Sequence, residues 1–461
     1  MIILKSRTYD SLQIGERASL ERTLTQQDIL LFAGVSGDVN PAHLDHQFAA
    51  GSVFEQVIGH GMWTGALVSA LIGTKLPGPG SIYISQSFKF RAPVKVGDTL
   101  TIEVRVNRKL EGRRVALDCS VAKPNGETVL SGEAIVLAPD KIIEVEAQEH
   151  PSIVLAERGE RLLALIKKAA NGRPIRTAIV HPVDAISLRG ALAAQADRTI
   201  TPVLIGPSAK IAAAAAVVEI PLDGIEIIDV PHSHAAGEEA ARRAASGDCA
   251  AIMKGALHTD EVLEPILDKS AGLRTERRLS HVFVMDAPSY HKLLFITDAA
   301  VNIAPTLEQK ADILRNAALL AASLGVSDPK AAILTAVETV TQTMPSTVDA
   351  AALCKMVDRG QIKGVRADGP LAFDNAISSD AAKTKGLTSD VAGDADILLV
   401  PDIEAGNIMA KQLDYLAGAV AGGIVLGARV PIILTSRAEG VLPRRASCAI
   451  ANLFDRSGEP S

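Results

Sequence analysis

Apolar positions recur at helical spacing from Asp28 to Val35 and stop where Ser36-Gly37-Asp38-Val39-Asn40-Pro41-Ala42-His43 begins. A proline after Asn40 disfavours helix at that residue, so the chain should leave the helix here and expose Asp38 and His43. A second apolar run, Gly61 to Leu71, follows Gly59-His60 and predicts a helix whose first amides lack internal partners. Beyond it, Ser81 to Phe90, Thr99 to Arg108 and Arg114 to Ala122 are alternating or β-rich and are separated by Gly, Asp and Pro. The first 140 or so residues thus read as a long helix followed by an antiparallel sheet.

The pattern changes after Pro139 to Pro151, a charged stretch with proline at both ends that has the character of a solvated connector. Alanine-rich helices then alternate with short apolar strands. Strands are expected at Thr177 to Val180, Pro202 to Ile205, Glu226 to Val230, Ala250 to Met253, His281 to Met285 and Leu293 to Thr297. Others are expected at Ala331 to Leu334, Ile397 to Val400 and Pro431 to Leu434, with helices such as Glu238 to Ser246, Leu307 to Leu324 and Ala405 to Ala421 between many of them. This alternation predicts an α/β fold with a largely parallel sheet, and about 300 residues hold two such sheets. The apolar run Tyr415 to Leu426 is too short for a membrane span and Arg429 follows it, so it reads as a buried helix leading into a strand at Val430 to Leu434.

In open α/β sheets ligands bind at strand carboxyl ends, where six polar strings fall. They are Lys254 to Thr259, Thr297 to Asn302, Glu338 with Met344 to Thr347, the polar loop Asp368 to Ala376, Asp402 to Asn407, and Thr435-Ser436-Arg437. Each alone suits a cap or turn; six together point to a site.

Composition narrows the function. The chain has 461 residues, too many for one typical core, and a net charge of −6 with both signs interspersed. There is no basic stripe and only 3% aromatic residues, which argues against nucleic acid. Cys119, Cys249, Cys354 and Cys448 stand apart without metal-ligand spacing and read as small buried residues in a reducing compartment. Met1 to Asp10 lacks an apolar secretory region, so a cytoplasmic protein without membrane attachment is expected.

Asp38 and His43 lie five positions apart across the Asn-Pro break and can share one water. With the order of helix, loop, Gly-His-Gly-Met turn and strands, residues 1–140 resemble the MaoC-type hot-dog fold, specifically the (R)-specific enoyl-CoA hydratases. The resemblance implies that Asp38 and His43 hold and activate a water that adds across the 2,3 double bond, while the Gly61 amide binds the thioester carbonyl. Asn40 and His60 are candidate substrate contacts. The chemistry needs a proton taken from water, a proton given to the α-carbon and a donor for the thioester oxygen.

Residues from about Glu157 onward resemble the phosphate acetyltransferase and phosphate butyryltransferase family, most specifically in Asp368 to Ala376, Glu404 to Lys411 and Val430 to Arg437. The resemblance implies two α/β subdomains, 156–285 plus 435–461 and 286–434, joined to the hot-dog domain by a linker over 141–155. This is the two-subdomain fold also used by isocitrate and isopropylmalate dehydrogenases. It implies reversible acyl transfer between CoA and inorganic phosphate with no cofactor, metal or covalent intermediate, and Ser436 and Arg437 at the reacting centre. A hydroxyl can stabilise the tetrahedral oxyanion and a guanidinium can bind phosphate through two parallel hydrogen bonds. Lys254, Thr259, Asp298, Asn302, Asp368, Asp374, Asn375, Glu404, Asn407 and Glu439 are the candidate substrate-binding residues.

Two departures stand out. Acetate-type members place an aspartate base just beyond the Ser-Arg pair, where this chain has Ala438 to Pro443 and Glu439 is the nearby carboxylate. They also carry an arginine where this chain has Val262-Leu263-Glu264; Arg274, Arg277 or Arg278 could supply that charge. A metal-dependent dehydrogenase-like second half is the alternative, disfavoured because Asp368 and Asp374 lack carboxylate spacing for Mg²⁺ and no Gly-x-Gly-x-x-Gly follows a strand. The expected partners are acyl-CoA, CoA and phosphate or acyl phosphate, and the expected assembly is a homodimer or larger homo-oligomer.

Overall fold

Helix α1 (Gln26–Ser36) starts in a capping box, with Thr25 accepting the Asp28 amide and the Asp28 side chain accepting the Thr25 amide. It ends at Gly37, whose φ of +74° is the left-handed conformation that closes helices. Asn40 then caps a short helix α2 (Pro41–Leu44) through Ala42 N–H, with Pro41 at the first helical position where its missing N–H costs nothing. These events belong to the first of two compact units, Met1–Leu155 and Ala156–Ser461, in a computed structural model that describes residues 3–147, 158–434 and 440–458.

Helix α3 (Gly61–Thr74) buries Trp63, Val68, Leu71 and Ile72 in the first unit's core. The sheet of that unit comprises β1 (Arg17–Thr23), β2 (Ile82–Phe90), β3 (Thr99–Lys109), β4 (Arg114–Ala122) and β5 (Thr128–Leu137) in the order β1-β3-β4-β5-β2, antiparallel throughout. Alternation puts Leu100, Ile102, Val104 and Val106 of β3 inside. Gly65 sits where a Cβ would lie 2.7 Å from Phe88 Cε2, so a glycine there lets α3 approach the sheet closely. Part of the expected connector is structured: Glu144–Glu146 pairs antiparallel with Ile3–Lys5.

The second unit differs from the expectation of two largely parallel sheets. It has one continuous mixed sheet of β6 (Ile175–Val180), β7 (Ile200–Gly206), β8 (Glu226–Asp229), β9 (Ala251–Lys254), β10 (Ser280–Asp286), β11 (Leu294–Thr297), β12 (Lys330–Leu334), β13 (Arg366–Leu371), β14 (Ile397–Leu399), β15 (Val420–Leu426) and β16 (Ile432–Ile433). The order is β8-β7-β6-β9-β16-β15-β10-β11-β14-β12-β13. Strands β8, β7, β6, β9 and β16 are mutually parallel, as are β11, β14, β12 and β13. The antiparallel pairs β16–β15, β15–β10 and β10–β11 join the two sets, which therefore run in opposite directions.

Three further elements differ from expectation. The Tyr415 to Leu426 run is not a buried helix: the helix Ile403–Tyr415 ends and β15 begins at Val420. Val420, Ile424 and Val425 favour strand, and a Cβ on Gly423 would lie 2.7 Å from Val282 O, so the glycine keeps β10 and β15 in register. The expected Val430 to Leu434 strand shrinks to Ile432–Ile433. The Asp368 to Ala376 string is not a loop throughout, because Arg366–Leu371 is the edge strand β13 and Phe373–Ile377 a short helix. A proline is tolerated at Pro370 because an edge strand leaves one row of N–H groups unpaired. Among the described residues no helix is long and apolar enough to cross a membrane.

Candidate functional sites

The loop between α1 and α2 projects into solvent, with Gly34 to Asn40 all exposed. Local bonds shape it: Asp38 N–H donates to Ser36 Oγ at 3.2 Å, and Asp38 Oδ1 accepts the Asn40 amide at 3.2 Å. One bond ties it to α3, from His60 Nε2 to the Asp38 carbonyl at 3.0 Å. His60 is buried and its ring stands 3.9 Å from that of His43, centroid to centroid. His43 Nδ1 lies 2.8 Å from Ile58 O. A carbonyl only accepts, so Nδ1 carries the proton and neutral His43 presents a bare Nε2 lone pair.

Asp38, His43 and His60 each place a donor atom within 4.8 Å of the others, and among the described residues they form the one group of three such side chains able to hold a metal ion. One nitrogen of each histidine is already engaged by a carbonyl. What remains is a carboxylate and a basic imidazole beside an exposed loop, which suits activation of one water. Gly61 opens α3 with no side-chain cap from His60, leaving first-turn amides to face a ligand oxygen. A Cβ on Gly61 would lie 3.3 Å from Phe90 Cε1. The structure thus brings Asp38, His43, His60 and the Gly61 turn together, and Asn40 serves as the cap that orients α2.

In the second unit the reversal of strand direction divides the expected site residues between two sheet edges. At one edge β9 ends at Lys254, which is buried, and Thr259 is exposed at the start of helix α4 (Thr259–Leu267). Sequence reasoning missed His181 beside them. It follows β6 with a left-handed φ of +53°, and its Nδ1 donates to Ala256 O at 3.2 Å. A Cβ on Gly255 would come within 2.3 Å of Val180 O, so the two strand ends interlock only around a glycine. The His-Pro pair directly after an apolar strand was the available signal. Strand β16 is parallel to β9 and ends at this same edge. Ser436, Arg437 and Glu439 come after it and lie outside the described residues.

At the other edge, Asp298 and Asn302 are both buried after β11. Burial pushes the Asp298 carboxyl up from its ordinary value, while amides of Ala300, Val301 and Asn302 pull it back. Asn302 Nδ2 donates to Asp298 Oδ2 at 2.5 Å and to Leu279 O at 2.8 Å, and its Oδ1 accepts from Arg278 Nε at 2.7 Å. Asn407 donates to Ala299 O at 3.2 Å, next to exposed Glu404. Buried Asn375 donates to Glu338, whose carboxylate also lies 3.4 Å from Lys385 Nζ. Asp374 is exposed, and Asp368 binds its neighbour's amide at 2.8 Å. The strings therefore follow strands that run in opposite directions within one sheet.

Residues 236–450 match the phosphate acetyl/butaryl transferase family and residues 12–125 match the MaoC like domain. A phosphate acetyltransferase of Rhizobium meliloti is 54% identical over 295 residues, 64% of this chain and 92% of its own. A branched-chain phosphotransacylase structure from Enterococcus faecalis V583 aligns with a TM-score of 0.54 at 29% identity, covering 61% of this chain and 99% of that one. An R-hydratase structure from Pseudomonas aeruginosa, unliganded, is 42% identical over 33% of this chain and 99% of its own, with a TM-score of 0.33. These matches set aside the dehydrogenase-like alternative for the second half. The chain belongs to the phosphate acetyl/butyryl transferase family and carries a MaoC-like hot-dog domain ahead of the transferase part.

Proposed function

We propose that one chain carries two acyl-CoA chemistries: reversible hydration of a 2-enoyl-CoA to an (R)-3-hydroxyacyl-CoA in the first unit, and reversible acyl transfer between CoA and inorganic phosphate in the second. The observation that carries the hydratase reading is the His43 Nδ1–Ile58 O bond at 2.8 Å, which leaves Nε2 as acceptor in the cluster with Asp38. Asp38 and His43 hold the water between them. One takes its proton as oxygen attacks the β-carbon, a proton is returned to the α-carbon, and the Gly61 amide takes the charge on the thioester oxygen. Asn40 shapes the loop and His60 steadies Asp38.

The transferase reading rests on the 54% identity to a phosphate acetyltransferase. In it, CoA sulfur attacks the acyl carbon of an acyl phosphate, Ser436 stabilises the oxyanion and Arg437 holds the departing phosphate. Glu439 is proposed as the nearby carboxylate that takes the thiol proton. Lys254 and Thr259 provide contacts at the β9 edge, and Asp298, Asn302, Asp368, Asp374, Asn375, Glu404 and Asn407 provide contacts from the β11–β13 edge. Neither reaction calls for a metal or organic cofactor. The test is to supply crotonyl-CoA, and separately acetyl-CoA or butyryl-CoA with phosphate, in the presence of a strong chelator. Loss of crotonyl absorbance together with phosphate-dependent CoA release supports the proposal; failure of either removes that half.

A further inference from the structure

The loop after α1 carries more ligand chemistry than the activation of one water uses. Asp38, His43 and His60 each place a ligand atom within 4.8 Å of the others. Both imidazoles are oriented by main-chain carbonyls: His43 Nδ1 lies 2.8 Å from Ile58 O, and His60 Nε2 lies 3.0 Å from Asp38 O. Each carbonyl fixes the proton on the nitrogen that faces it, so each ring keeps one bare lone pair, on His43 Nε2 and on His60 Nδ1. Histidines that bind metals are held in this way, with the other ring nitrogen donating to a carbonyl or carboxylate.

His60 supplies a second, independent sign. It is 2% exposed, and its Nδ1 is buried without a hydrogen-bond partner. A buried acceptor left unmatched is costly unless something outside the chain meets it. Phe32 packs beside this ring, 5.1 Å between centroids, and helps to hold it. Asp38, by contrast, is exposed on a loop whose local bonds are 3.2 Å long. An ion therefore has an entry path and a carboxylate that can close on it. Tetrahedral zinc spaces its ligands roughly 3.3 Å apart, so a loop movement on the order of 1 Å completes the geometry.

We propose that Asp38, His43 and His60 form a zinc site, with a carboxylate oxygen and two imidazole nitrogens as ligands and the fourth position left to water. Two neutral nitrogens and one carboxylate suit zinc better than Mg²⁺ or Ca²⁺, which take oxygen ligands. Bound zinc engages the carboxylate and the His43 lone pair that would otherwise hold the attacking water, so it silences hydration until it is removed. That consequence rests on the hydratase reading; the site itself does not.

The experiment is calorimetric titration of the metal-free full chain with Zn²⁺ and with Mg²⁺, the visible spectrum with Co²⁺ in place of zinc, and crotonyl-CoA hydration before and after zinc is added. Asp38→Asn and His60→Phe are run beside wild type. His234→Ala, which removes an exposed histidine 3.7 Å from Glu261, controls for surface binding. The expected result is stoichiometric zinc, intense tetrahedral Co²⁺ bands, and zinc affinity lowered at least about tenfold in Asp38→Asn and His60→Phe but unchanged in His234→Ala. Hydration should fall at least about tenfold with zinc and return when EDTA is added. Absence of zinc binding, equal binding by wild type and Asp38→Asn, equal binding of Mg²⁺, or hydration untouched by saturating zinc would overturn the proposal. A chain that binds zinc as expected but never hydrates crotonyl-CoA supports the site and removes the hydratase reading instead.

Discussion

His60 donates Nε2–H to the main-chain carbonyl of Asp38 across 3.0 Å, and through that bond the buried start of α3 holds an exposed loop in place. The contact makes His60 a positioning residue instead of a substrate contact. His60→Phe keeps a ring beside His43 but loses the donor, so kcat for hydration should fall on the order of tenfold to a hundredfold with KM little changed. His60→Gln, which retains an N–H, should recover much of the loss. Steady-state kinetics on crotonyl-CoA checks both.

Asp38→Asn and His43→Gln remove the proposed acid and base directly. Each should lower hydration by about a hundredfold to ten-thousandfold. Acetyl transfer to phosphate should stay within twofold of wild type in both, measured on the same preparations.

Gly255 should tolerate no side chain. A Cβ there meets Val180 O at 2.3 Å and His181 O at 2.8 Å, both backbone atoms. Gly255→Ala should push the β6 and β9 ends apart, displace Lys254, and reduce CoA release at least tenfold while hydration persists. Roughly 1–3 kcal/mol of destabilisation is expected from such overpacking, read as a lowered thermal transition.

His281 supplies a pH dependence. It is fully enclosed in β10 with no partner for Nδ1, and burial lowers its pKa from 6.5 to about 4. Above pH 6.5 the folded and unfolded chains both keep it neutral. Between 6.5 and 4 the unfolded chain binds a proton that the folded chain refuses, so stability is lost as pH falls through that window. The upper bound is about 3 kcal/mol. Melting temperatures at pH 7 and pH 4.5 should converge more closely in His281→Gln than in wild type.

The thiols offer a simple check on the core. Burial raises Cys119 and Cys249 to about 11 and Cys354 and Cys448 to about 12. Thiolate is the reactive form, so a disulfide reagent at pH 8 should label all four rapidly only after denaturation.

Much of this was legible in the chain because it is local. The Asp38 to His43 spacing survives folding because Gly37, Asn40 and Pro41 set its turns within a few residues. Leu307–Leu324 is a helix with the expected bounds, fixed by a Thr306 cap and Gly325. What sequence could not reveal was set by distant partners. The apolar run Tyr415 to Leu426 reads as one buried helix, whereas Val420–Leu426 is a strand because Ser280–Asp286 lies alongside to pair with it. The bond from Arg278 to Asn302 spans 24 residues, and that from His60 to Asp38 spans 22, neither marked by any local pattern. The reversal of strand direction that separates Lys254 from Asp298 depends on β10 and β15 inserting between the two parallel sets, which no single segment encodes.

The central claim is that separate residues of one chain carry hydration and acyl transfer. Its most direct test measures crotonyl-CoA hydration and phosphate-dependent CoA release side by side in wild type, Asp38→Asn and Ser436→Ala. The account predicts that both activities are present in wild type, that Asp38→Asn loses only hydration and that Ser436→Ala loses only transfer. A wild-type chain lacking either activity, or a variant that loses both while keeping its thermal transitions, would contradict it.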